Sequence, residues 1–137
     1  SSAAGVSNVG ALTIAANARL DLGANKLVTS TPVGSFNGTA YTGVQGEVQR
    51  AYNFGAWDQP GLTTSEDNAG QNAGPLSNTT TIATATASQV LFIEPTDTAV
   101  VWGQTVTGAS TIASPLPVAS PPSKTRSLNP SAFIHAR

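Results

Sequence analysis

The sequence contains no cysteine, which excludes a disulfide framework, a thiolate nucleophile and a thiolate metal site. Methionine is also absent, and a chain that starts at Ser1 without an initiator reads as a processed or excised piece. No positively charged start followed by an apolar run marks a signal peptide. No window approaches the ~20 apolar residues that a membrane-spanning helix needs.

Charge is scarce too. Six basic and seven acidic side chains make up 9% of the chain, against roughly a quarter in an ordinary soluble protein. Solubility must come instead from hydroxyls and amides, since Ser and Thr together number 32 and Asn 9. That small-polar bias points to secreted, β-rich or cell-surface material. The few charges are unevenly placed: residues 1–110 sum to −4 and residues 111–137 to +3. Three cations on a proline-rich end are too few to neutralise a run of phosphates, so nucleic acid is not an expected partner.

Large apolar residues are in short supply. Leu, Ile, Val and Phe total 29, which predicts a thin core, while a net charge of −1 removes the self-repulsion that usually accompanies disorder. The expected fold class is mainly β: a short-stranded β-solenoid terminus or a small sandwich, with one or two short helices and an extended Pro-rich tail. Residues 1–10 are expected as a flexible lead-in, 11–112 as the β-rich domain and 113–137 as the Pro-rich basic tail.

Along the chain, "ALTIAANARLDLGANKLVTS" alternates in short runs, Leu12 and Ile14, then Leu20 and Leu22, then Leu27, and reads as two or three short strands. In "YTGVQGEVQRAYNFG" the period changes. Val44, Val48, Ala51 and Tyr52 fall on one helical face, which predicts a helix over 42–52 with Val44, Val48 and Tyr52 buried against the strands of 11–30. Thr42 and Gln45 fit a capping box, Gly55 after Asn53 is a stop, and Gly46 inside the helix costs about 1 kcal/mol against alanine. "LTTS" follows the Pro60-Gly61 turn as a short strand, and 65–78 is a loop. The spacing predicts a helix over 84–92, closed by Pro95. "TAVVWGQTVTG" reads as strand, Gly-Gln turn, strand, with Trp102 anchoring one face. Five of the nine prolines lie in residues 115–130, so that stretch is expected to be extended and unpacked.

Three pieces in linear order carry a resemblance: L-D-L-x-x-N-x-L-V at Leu20 to Val28, G-A-W-[ND]-x-x-G at Gly55 to Gly61, and a W-x-G-Q-T-V-like run in which Trp102 is followed directly by "GQTV". Over about residues 10–112 the chain resembles the C-terminal region of large secreted planctomycete-type proteins with autotransporter-like β-strand repeats. The resemblance implies a noncatalytic piece of an outer-surface protein. It also implies a further strand and an acidic calcium-binding or sorting segment, in whose place "PLPVASPPSKTRSLNPSAFIHAR" stands, so no anchoring or dockerin-like binding carries over.

The residues assemble no catalytic set. The single histidine, His135, lies in the basic tail, whereas a Ser-His-Asp arrangement needs a buried, oriented imidazole. Asp58 with Glu66 or Asp67 could form a glycosidase pair, but turn and loop chemistry accounts for them more simply. "DLGAN", Asp21 to Asn25, has too few oxygen ligands for calcium and reads as a turn. No phosphate loop is present. Asn37-Gly38-Thr39 and Asn78-Thr79-Thr80 fit the glycosylation acceptor pattern. No cofactor is expected.

Tyr52, Phe54 and Trp57, with Asp58, could present a stacking platform to sugar rings. A chain with eight aromatics and so thin an aliphatic supply needs those rings in its core, and packing is the preferred reading. The expected function is a noncatalytic structural module of an extracellular or cell-surface protein that engages other β structure, either preceding repeats or copies of itself. It would do so through uncharged strand edges at Leu12, Thr13 and Ile14 and at Val100, Val101 and Trp102. A self-assembling subunit of a filament or sheet is one alternative. A carbohydrate-binding module using Tyr52, Phe54 and Trp57, with polysaccharide as partner, is the other.

Overall fold

The computed structural model describes residues 5–66 and 79–118. The described part is mainly β, with two α-helices and no closed barrel. In chain order it runs β1 (Val6–Val9), β2 (Arg19–Asp21), β3 (Lys26–Thr29), α1 (Gly43–Tyr52), β4 (Gly61–Thr63), β5 (Thr79–Thr86), α2 (Ala87–Leu91), β6 (Thr98–Val101), β7 (Gln104–Thr107) and β8 (Thr111–Val118).

Four strands form one sheet in the order β1-β3-β8-β5. β1 runs parallel to β3, with Val6 opposite Lys26, whereas β8 is antiparallel to both β3 and β5. Side chains alternate across a strand, so neighbours in this sheet feed two separate cores. Leu27 and Ala113 pack on one side with Leu22, Val44, Ala51, Trp57, Leu62 and Ile82. Val28 and Ile112 pack on the other with Ala87, Val101 and Val106. This is how a chain so poor in large apolar residues still closes a core: its central strands bury both faces.

A second parallel pair, β2 with β4, places Arg19 opposite Gly61 and Asp21 opposite Thr63. The parallel partners come from successive passes of the chain, β3 beside β1 and β4 beside β2. The β6–β7 hairpin forms as the sequence indicates. Its turn is centred on Trp102-Gly103 rather than on Gly-Gln, because φ is 50° and 77° at these two residues and a tight two-residue hairpin needs positive φ at both.

Helix α1 spans Gly43–Tyr52 and buries Val44 and Ala51. Val48 is partly buried, but Tyr52 is about half exposed, contrary to expectation. The Thr42–Gln45 capping box does not form. The Thr42 hydroxyl is engaged with the backbone of Ser35, and the first orphan N–H groups, those of Val44 and Gln45, bond instead to the carbonyls of Pro32 and Val33 at 3.0 and 2.9 Å. A preceding loop has replaced a side-chain cap. Gly46 is explained by crowding, since a Cβ there would lie 2.5 Å from the Tyr41 carbonyl oxygen. The helix ends on Asn53 in the left-handed region, a residue type suited to that conformation.

Several expectations need correction. Val6–Val9 is a strand, although it lies in the segment read as a flexible lead-in. Leu12, Thr13 and Ile14 are irregular, not a strand. Threonine hydroxyls stand in for a ladder there: the Leu12 N–H donates to Thr31 Oγ1 at 2.6 Å, and Thr29 Oγ1 donates to the Gly10 carbonyl at 2.5 Å. Leu12 and Ile14 still face the core, so an alternating pattern survived without pairing. The helix expected over 84–92 occupies only Ala87–Leu91, because residues 84–86 continue β5 and Thr86 forms a full capping box with Gln89.

The boundary expected at 112 falls inside β8, which pairs with β5 out to Val118 despite Pro115 and Pro117. The two prolines share one parity and begin just where β3 has run out, as Leu27 opposes Ala113. Their missing N–H groups therefore face one side of the strand, where no ladder is left to lose. The remainder of the expected tail, with His135, lies outside the described residues, as do Asp67, Asn78 and most of the 65–78 loop.

The "DLGAN" segment is a turn. Asp21 Oδ1 accepts from the N–H groups of Gly23 and Ser65, both at 2.8 Å. Burial pushes the Asp21 carboxyl up, but these bonds, the Ser65 hydroxyl and the Arg19 charge outweigh it and hold the group below its ordinary 3.8. A carboxylate with a lowered folded-state pKa contributes stability above its unfolded value and loses it as pH falls through the folded one. Thermal melts should therefore hold a plateau above about pH 4 and decline below it. Asp21→Ala should lower the melting temperature by a few degrees at neutral pH and flatten that acid limb.

Candidate functional site

Four residues on one side of α1, Gln45, Val48, Gln49 and Tyr52, line a groove. Their spacing of i, i+3, i+4 and i+7 lines them up as one stripe along the helix. Opposite them lies β5, one of the two edge strands of the four-stranded sheet. Between the two runs this groove of about 360 Å³, lined also by Tyr41 and Trp57 and, on the strand side, by Thr81, Ile82 and Thr84. Among the described residues, no charged side chain lines it.

Two contacts hold its walls. The Tyr41 N–H donates to Gln49 Oε1 at 2.8 Å, which fixes the glutamine amide. The Tyr52 ring meets Trp57 edge-on, with centroids 5.3 Å apart and planes at 83°, a preferred aromatic geometry. Tyr41 is similarly backed by Phe36, at 5.4 Å.

The residues of the expected platform are split up by the structure. Trp57 is 5% exposed and belongs to the core, whereas Phe54 is 99% exposed. Asp58 does not line the groove. Its carboxylate accepts from Asn53 Nδ2 at 2.7 Å and Gln59 Nε2 at 3.1 Å, and these bonds hold it below its ordinary range. A catalytic acid needs the opposite shift. Of the platform residues, Tyr52 and Trp57 reach the groove; Gln45, Gln49 and Tyr41 were missed, although the helical stripe was legible in the sequence.

The expected assembly edges are also redistributed. Leu12, Thr13 and Ile14 form no strand edge. Val100 is exposed on β6, Val101 is buried beneath the hairpin and Trp102 sits in its turn, with the Lys26 ammonium 5.5 Å from the ring centroid. The open parallel edges belong instead to β1 and β2. In a parallel ladder, alternate residues direct both backbone groups to the same neighbour. Lys26 N–H bonds to the Gly5 carbonyl, so Val6 and Asn8 direct their N–H and C=O away from β3. Gly61 N–H bonds to the Ala18 carbonyl and Leu22 N–H to that of Thr63, so Arg19 and Asp21 direct theirs away from β4. None of these backbone groups has a partner among the described residues.

The acceptor asparagine Asn37 is turned inward on its own loop, where its Oδ1 accepts from the N–H groups of Thr39 and Ala40 at 3.0 Å. Among the described residues no group of three or more His, Cys, Asp or Glu is placed to hold a metal ion, and no helix is long and apolar enough to cross a membrane. No family model, curated protein or solved structure matches the chain.

Proposed function

We propose that the chain is a noncatalytic structural module of an extracellular or cell-surface protein, and that it caps a short-stranded β-solenoid by stacking the open edges of β1 and β2 on neighbouring β structure. The observation that carries this reading is the pair of parallel ladders built by successive passes of the chain, β1–β3 and β2–β4, which both leave the outer edge of the earlier strand without a strand partner among the described residues. A solenoid coil stacks in this way, each strand beside its counterpart in the next coil. The small-polar composition and the resemblance to secreted β-repeat proteins support the same reading.

The far side of β3 is occupied by β8 in antiparallel sense, and the sheet goes on antiparallel to β5, so the parallel stack ends at β3. A cap has this asymmetry; a filament subunit needs two complementary open ends. Copies of the chain should therefore pair through β1 and stop at a dimer. Asn8→Pro tests this, because it deletes an N–H that faces away from β3 and leaves the inner ladder intact. Sedimentation of the parent at rising concentration should show a dimer, and Asn8→Pro should weaken it by about tenfold or more while melting at nearly the parental temperature. A parent that grows without limit, or one that stays monomeric at every concentration, contradicts the capping role.

A further inference from the structure

We propose that the groove between α1 and β5 is a binding site for a neutral saccharide. At about 360 Å³ it lies at the small end of ligand pockets, roughly 300–1,000 Å³. Its lining joins two features that sugars require together. Tyr41 and Tyr52 are 45% and 46% exposed, so their rings offer apolar surface to the C–H faces of a pyranose. Around them stand the side-chain amides of Gln45 and Gln49 and the two phenols, with Thr81 and Thr84 on the strand side. Amides, hydroxyls and phenols both donate and accept, as sugar hydroxyls do.

The described residues that line the groove carry no charge, which favours a neutral ligand over a uronate or a phosphate. An unpaired carboxylate or phosphate would meet no cation among these residues. The site is also held ready. Gln49 has its carbonyl oxygen engaged by the Tyr41 N–H, which leaves its NH₂ for a ligand, and Tyr52 is fixed against Trp57. The side-chain amide of Gln45 makes no hydrogen bond among the described residues, and a saccharide hydroxyl would supply one. Walls that are fixed before binding reduce the ordering cost of association. Phe54 and Asp58 take no part.

The test is calorimetric titration of the whole chain with neutral soluble oligosaccharides of β-glucan, xylan and mannan type, with oligogalacturonate as the charged control. At least one neutral oligosaccharide should bind, and oligogalacturonate should bind about tenfold more weakly or not at all. Tyr52→Ala should weaken binding by about tenfold or more. Because that change also loosens Trp57, Gln45→Glu is the second variant: it leaves the packing untouched, places a charge in the groove and should weaken binding comparably. Phe54→Ala should bind as the parent does. The proposal is overturned if no neutral oligosaccharide binds the folded parent at millimolar concentration, or if binding survives both groove variants. It is equally overturned if the groove takes an extended peptide instead, shown by a synthetic TTTIATAT peptide binding where the sugars do not.

Discussion

Trp57→Ala should destabilise the fold by about 3 to 5 kcal/mol, the range for truncating a large aromatic in a core. Trp57 is 5% exposed and touches the cluster that joins the sheet to α1. Its surroundings are also tied to its backbone, since the carbonyl accepts from Arg19 Nη2 at 2.5 Å and from Thr63 Oγ1 at 3.4 Å. The residue sits at φ 51°, a conformation that costs roughly 1 kcal/mol or more for any side chain with a Cβ, and alanine keeps that cost while losing the ring. Phe54 is the control. It lies three residues away, at φ 54°, yet its side chain is in water, so Phe54→Ala should shift the melting midpoint hardly at all. Chemical denaturation of both variants checks this, and a Trp57→Ala chain that melts like the parent would contradict the core assignment.

Gly61→Ala should be at least as damaging, about 3 kcal/mol or more. Gly61 sits at φ 133°, where L side chains are strained, and a Cβ there would collide with the Glu47 carbonyl oxygen and crowd Ala51 of α1. The clash is with helix backbone, which cannot swing aside as a flexible side chain would. Gly61 opens β4, whose Leu62 is fully buried between the helix and β2, so displacing it separates α1 from the sheet. Loss of cooperative melting is the expected result; a variant within about 1 kcal/mol of the parent would mean that the helix moves freely over β4.

Where local chemistry alone decided the outcome, the sequence was readable. The period switch at Val44 to Tyr52 marked α1, alternating β-branched residues on either side of Trp102 marked the hairpin, and the short run after Pro60-Gly61 marked β4. It misled where a distant partner decided. Leu12 and Ile14 alternate like a strand, but the hydroxyls of Thr29 and Thr31 occupy the backbone that a neighbouring strand would have used. Pro115 and Pro117 look like the start of an unpaired tail, and only the register with β3 shows why they are tolerated in a strand. Thr42 has every mark of a cap, yet Pro32 and Val33 reach the helix start first.

The candidate sites divide in the same way. The stripe of Gln45, Val48, Gln49 and Tyr52 can be read from spacing, but not that Thr81 and Thr84 lie across from it, since β5 is brought there by pairing with β8. Nor does any local signal separate Trp57 from Phe54: both are aromatic, both lie just after α1, and both have positive φ. Their fates differ because Leu62 and Ala51 surround one and nothing surrounds the other.

The capping role rests on a few backbone groups, and amide hydrogen exchange reads them one by one. In dilute solution the outward amides of Val6, Asn8, Arg19 and Asp21 should exchange rapidly, while inward ones such as those of Lys26, Gly61 and Leu22 stay protected. Raising the protein concentration into the associated range should slow Val6 and Asn8 and leave the amides on the outer edge of β5 unchanged. Exchange at Val6 and Asn8 that stays rapid at every concentration, or protection that appears on β5 instead, would contradict the account.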